Sequence, residues 1–174
     1  AGCVGLPGGS EWNRTIGVVT PRTGPQGFIG QKLSVGARIA IEEVNAELDE
    51  PIELSIGDSE ASVESARSAV RDFIDEGVPI FTGTVSSDVA LSLRDLAEEE
   101  QLPHLISQAG TPDATGPEYD YTFRFPGDEE QKEVGNLQFF QDQGVESVAV
   151  IGADYSYPRT TVDMLRKHAP DYGV

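Results

Sequence analysis

Two adjacent serines, Ser86 and Ser87, follow a short β-prone run and open an amphipathic stretch, so their hydroxyls belong where a strand turns into a helix. At such a turn the first N–H groups of the helix are unpaired and sit at the positive end of its dipole, which favours a carboxylate or phosphate. Plain helix capping by serine needs no ligand and competes with that reading. A second candidate is Gly24-Pro25-Gln26-Gly27-Phe28-Ile29-Gly30, with Asp58 at the end of the next strand. A dinucleotide fingerprint needs Gly-x-Gly-x-x-Gly tight against the strand. Here the spacing is Gly-x-x-Gly-x-x-Gly, Pro21 and Pro25 lengthen the loop, and Gly30 is followed by Gln31-Lys32-Leu33 in place of the P-loop Lys-Ser/Thr. The run Gly83-Thr84-Val85-Ser86-Ser87-Asp88 lacks the second glycine of a nucleophile elbow. His104 opens a β-prone run behind Pro103, and His168 lies near the end of the last helical stretch, where a cation suits the dipole. Glu98-Glu99-Glu100 has no calcium-loop spacing and reads as a solvated face. No catalytic constellation remains among these patterns; binding at Ser86 and Ser87 does.

Alternating strands and helices must position those residues. Periodicity predicts strands over 15–20, 52–56, 79–85, 104–107, 121–125 and 147–151. Between and after them it predicts a helix over 30–48, with Leu33, Ala37, Ala40, Ile41, Val44 and Leu48 inward, and one carrying Val63, Ala66, Val70, Phe73 and Ile74, ended by Gly77. Further helices follow over 86–101, 128–143 and 158–169, while the Gly- and Pro-rich segment 108–119 reads as a loop. Repeated strand–helix–strand alternation implies the α/β class, a doubly wound, mostly parallel sheet with helices on both faces. Ligands of such sheets sit at the carboxyl ends of the strands. That rule selects the loops 20–30, 85–88 and 107–115.

The chain has 174 residues, 30 Asp+Glu against 12 Lys+Arg and a net charge of −18, which disfavours nucleic acid and anionic membrane surfaces as partners. Nowhere do 18 apolar residues run together, so the sequence offers no membrane span. Cys3 is the sole cysteine, which excludes an internal disulfide and a multi-cysteine metal site. Only Lys32, Lys132 and Lys167 are lysines, and carboxylates are spread along the whole chain; this is the surface expected of a halophile.

Four segments together resemble a family. The run from Thr15 to Ala46, with Thr-Ile-Gly-Val-Val-Thr-Pro-Arg-Thr-Gly-Pro and Ala-Ile-Glu-Glu-Val-Asn-Ala, is similar to the opening of type I periplasmic binding proteins, nearest the branched-chain amino-acid binding proteins of ABC transporters. Gly83-Thr84-Val85-Ser86-Ser87, Leu105-Ile106-Ser107-Gln108-Ala109-Gly110-Thr111-Pro112 and Tyr121-Thr122-Phe123-Arg124-Phe125 follow in the family's order. The resemblance implies a periplasmic-binding-protein-like fold, a two-lobed clamp closing on a small ligand without a cofactor. On it, Ser86 and Ser87 would meet the ligand carboxylate. The Ala109 carbonyl, with neighbouring Gly110, and the Thr111 hydroxyl would meet the ammonium, and Tyr157 would cover the ligand. Ile29 stands where an aromatic is common, and Pro158 where glycine is usual.

The implied organisation is a lipoprotein-like tether over 1–14, a nearly complete first lobe over 15–120 and the beginning of a second over 121–174. Two full lobes would need about twice this length, and the acid expected to pair with the ammonium would lie beyond Val174. Ala1-Gly2-Cys3 resembles the end of a lipoprotein signal, making Cys3 the expected lipid anchor on the outer face of the membrane. The implied role is solute capture for an ABC permease. A ligand-sensing domain of a signalling receptor and, more remotely, a nucleotide-using enzyme remain alternatives.

Overall fold

The computed structural model describes residues 13–174. Cys3 and nearly all of the expected tether lie outside them. The elements run β1 (Thr15–Thr20), α1 (Gly27–Asn45), β2 (Glu53–Asp58), α2 (Val63–Asp75), β3 (Phe81–Gly83), α3 (Ser87–Glu100), β4 (His104–Ile106), a 3-10 turn (Pro112–Ala114), β5 (Thr122–Arg124), α4 (Glu129–Asp142) and α5 (Ser156–Tyr172).

Five strands form one sheet in the order β2-β1-β3-β4-β5, every pair parallel. Right-handed crossovers run one way from β1 to β2 and the other way from β2 onward, so α1 covers one face and α2 and α3 the other. On the α2–α3 face, Val19 and Phe81 meet Ala66, Val70 and Phe73 from α2 and Val89, Leu93 and Leu96 from α3 in one buried cluster. β5 pairs with β4, so this sheet continues past the lobe boundary expected at 120.

Two expectations need correction. The inward face expected of α1 is only half covered: Leu33, Ala37 and Ile41 are half-buried, but Ala40, Val44 and Leu48 are exposed. Val35 and Ile39 are also exposed, so α1 is apolar on more than one side and the sheet takes only one of them. The strand expected over 147–151 is not formed. Its residues are β-prone, but among the described residues no strand runs alongside to accept its backbone hydrogen bonds, and a strand exists only as one member of a pair. The helix after it is longer than expected, Ser156–Tyr172. α5 packs on α4, with Leu137 and Leu165 buried on the two helices, and both Lys167 and His168 contact the Glu130 carboxylate, at 2.6 and 2.7 Å.

Candidate functional site

The strand order reverses between β1 and β3, so the connections leaving these two strands part company and open a crevice at their carboxyl ends. The loop after β1 is held from below by Asp58. Its carboxylate accepts the Arg22 N–H at 2.8 Å, the Thr23 hydroxyl at 2.8 Å and the Glu60 N–H at 2.9 Å. Burial pushes this carboxyl up, but those hydrogen bonds outweigh it and hold it below the ordinary value. Asp58 is thus spent on its own loop, where a dinucleotide site would turn it to a ribose. Gly30 lets α1 start directly against the loop, because a Cβ there would collide with the Pro21 carbonyl. At the end of β3, Gly83 has φ +122°, and its Cβ would strike the Val19 carbonyl. Thr84 then donates its N–H to that carbonyl at 2.9 Å, which aims the chain into α3.

A cavity of about 190 Å³ lies at this crevice. Gln26 and Ile29 line it from the first loop, Val85 to Asp88 from the second, and Gln108 from the third. Lys132 from α4 and Tyr155, Ser156 and Tyr157 at the start of α5 complete it. Three helices begin here. Their N-cap residues, Gln26 of α1, Ser86 of α3 and Tyr155 of α5, all line the cavity, and none spends its side chain on a capping hydrogen bond. Plain capping is therefore not what Ser86 does. The dipoles of three helix ends pointing at one small space favour an anion there, although in α1 the Gly27, Ile29 and Gly30 N–H groups are already taken by the Gly24 and Gln26 carbonyls. Ser156 donates its hydroxyl to Asp88, tying α5 to α3 across the opening.

The structure brings Ser86, Ser87 and Tyr157 together on this cavity. Ala109, Gly110 and Thr111 are buried just behind it. The Ala109 carbonyl accepts Arg124 Nη1 at 2.7 Å, and the Thr111 carbonyl accepts Nη2. A guanidinium thus already occupies the carbonyl expected to meet an ammonium. Burial lowers the Arg124 pKa, which the nearby Asp128 carboxylate opposes. Gly110 lies directly under the covering residues, since a Cβ there would stand 3.2 Å from the Tyr157 ring and 3.4 Å from Lys132 Nζ.

Lys132 and Glu129 were not singled out by the sequence reading. Glu129 is fully buried, accepts the Thr161 hydroxyl at 2.7 Å and holds Lys132 Nζ at 3.4 Å. Burial first, and the Glu129 carboxylate second, push the Tyr157 phenol pKa up. A signal for Lys132 was available. It is one of three lysines and stands in the first turn of a helix, where a cation opposes the dipole. A larger groove, about 560 Å³, runs along β2 and α2 between Asp58, Glu64, Asp72 and Glu76. Its carboxylates would repel an anion, and it lies along the sheet edge, away from the switch point.

A parallel sheet with a small cavity at its switch point, lined by serines and aromatic rings and ringed by helix N-termini, is the plan of a module that binds small solutes. Comparison with known proteins agrees. The periplasmic binding protein family matches residues 14–174, and the chain belongs to that family. It is 26% identical over 156 residues to the Leu/Ile/Val-binding protein BraC3 of Rhizobium johnstonii, covering 87% of this chain and 42% of the relative. A leucine-binding protein from Thermotoga maritima superposes with a TM-score of 0.81 at 24% identity, over 91% of this chain and 46% of that one. A solute-binding protein of an ABC transporter from Rhodopseudomonas palustris, solved with 3,4-dihydroxybenzoic acid, also gives 0.81, at 20% identity over 91% and 44%. The chain spans less than half the length of these proteins. They are named as binding proteins, which speaks against the nucleotide-using enzyme.

Proposed function

We propose that this chain is the solute-capturing part of an ABC importer, working on the periplasmic or extracellular side and taking a branched-chain or related amino acid. The observation that carries the reading is the convergence of three uncapped helix N-termini on the cavity lined by Ser86 and Ser87. Ser87 offers its hydroxyl and N–H to the carboxylate, and Tyr157 covers the ligand. The Ala109 carbonyl retains a second lone pair for an ammonium beside Arg124, with the Thr111 hydroxyl next to it. The sheet through β5 forms one side of a clamp, and the segment that begins with α4 and α5 starts the other, closing over the ligand. Cys3 anchors the protein to the membrane by a lipid, and a permease receives the solute.

Calorimetry on the full-length protein with leucine, isoleucine and valine tests this. Ser87→Ala should remove a charge-assisted hydrogen bond and weaken binding by about 1.5–3 kcal/mol. Unchanged affinity in that variant would move the site elsewhere. The second reading is an aromatic carboxylate, favoured by the guanidinium already seated on the Ala109 carbonyl and by the ligand of the Rhodopseudomonas neighbour. Binding of benzoates with no response to amino acids would select it.

A further inference from the structure

Among the described residues that line the cavity, Lys132 is the only cation and Asp88 the only anion. Asp88 already accepts the Ser156 hydroxyl. Lys132 is less engaged. Its ammonium carries three N–H donors, and among the described residues it finds one acceptor, Glu129 Oε2 at 3.4 Å. Charge-assisted hydrogen bonds ordinarily close to about 2.7–2.9 Å, so this one is loose. The ammonium lies 5.6 Å from the centre of the Tyr157 ring, another wall of the cavity, and 43% of the side chain is exposed. A solute in the cavity can therefore reach it. Its surroundings are fixed nonetheless. Glu129 is fully buried, accepts the Thr161 hydroxyl of α5 and donates its own N–H to the Gly110 carbonyl at 2.8 Å. A cation in the first turn of α4 also works against the dipole of its own helix, so helix stability does not explain its place there.

We infer that Lys132 is a specificity-determining residue of this site: its ammonium meets the ligand carboxylate from α4 while Ser86 and Ser87 meet it from α3. The inference rests on the site proposed above and deepens it, by adding a full charge to dipoles and hydroxyls. Both walls line one cavity of about 190 Å³. A carboxylate has two oxygens with about four lone-pair sites, enough to accept from both. Lys132 and Glu129 together are neutral, so a ligand ammonium near Thr111 meets little net repulsion from the pair. A carboxylate in contact with the Lys132 ammonium feels the cation at close range, where Coulomb attraction is strongest. The demand falls on the carboxylate alone and so holds for a branched-chain amino acid and for an aromatic acid. A ligand of the same shape without the negative charge loses it.

Two matched pairs of probes keep the shape and remove the charge: leucine against leucinamide, and benzoate against benzamide. In calorimetry on the full-length protein, the carboxylate of at least one pair should bind about tenfold or more tightly than its amide. Lys132→Gln should lower that ratio about tenfold, and Lys132→Arg should keep most of it. Because Lys132→Gln leaves the buried Glu129 without its cation, a double variant that adds Glu129→Gln restores a neutral pair and should give the same lowered ratio. A merely structural role for Lys132 would weaken carboxylate and amide alike. A ratio that survives both variants therefore overturns the inference, as does an amide that binds the native protein as tightly as its acid. Tighter leucine binding in Lys132→Gln also overturns it, by making Lys132 a competitor of the ligand ammonium. Ser87→Ala separates the two levels: if it weakens binding while the Lys132 variants leave the ratio intact, the site stands and Lys132 has no part in it. Affinities that Ser87→Ala does not touch, or no binding of any of the four probes, overturn the site itself.

Discussion

His104 lies within β4 with none of its ring exposed, stacked on Phe81 at 4.4 Å between ring centroids, and neither ring nitrogen has a partner among the described residues. Burial lowers its pKa from 6.5 to about 3. The unfolded chain therefore gains a proton below pH 6.5 that the folded chain refuses, and stability drains as the pH falls from there toward 3. Above 6.5 this group contributes no pH dependence. By linkage the loss is about 1.4 kcal/mol at pH 5.5. His104→Leu, which keeps the volume without the titration, should remove that part of the decline between pH 7.5 and 5.5 in urea unfolding. An equal decline in both proteins would show that His104 is not its source. The sequence placed this residue on a strand, but its neighbour Phe81 comes from another strand, and only the pairing of β3 with β4 seals the ring. Ser86 was legible in the same limited sense. Its position at a strand-to-helix turn could be read directly, but whether its hydroxyl caps the helix or faces a cavity depends on what else approaches.

Within α1, two glycines do opposite work. Gly30 is buried against the Pro21 carbonyl, while Gly36 is exposed in mid-helix with nothing within 4 Å of where a Cβ would stand. Gly36→Ala should therefore raise stability by about 0.5–1 kcal/mol, the ordinary helix-propensity gain. Gly30→Ala should lower it by about 3 kcal/mol or more, by forcing the loop away from the helix. Thermal melts of the two variants check both, and similar melting temperatures would contradict the packing described at Pro21. Periodicity and turn residues located most elements, because side-chain spacing and capping chemistry act over a few neighbouring residues. The capping box of α4, with Asp128 taking the Gln131 N–H at 2.9 Å, is of that kind. The failed strand at 147–151 is not, since β-propensity supplies one ribbon and the hydrogen-bonding partner must come from elsewhere.

Across the whole molecule, a net charge of −18 makes the folded state repel itself in dilute salt. Raising NaCl from 0.1 M to 1 M shortens the screening length from about 10 Å to about 3 Å. The melting temperature should climb over that range, as a halophile's surface requires, and a flat or falling response would refute that view of the charge. The sequence by itself determined the alternation of strand and helix, the parallel α/β class and the loops where a ligand could sit, because each follows from local periodicity and crossover handedness. Only the tertiary structure decided that β1 and β3 are neighbours, and hence where the switch point opens. It alone brought Gln26, Ser86, Lys132 and Tyr155 to one cavity from distant parts of the chain. Which strands pair, and which helix ends meet, is settled by burying apolar faces between remote segments, and no spacing within a single segment encodes that.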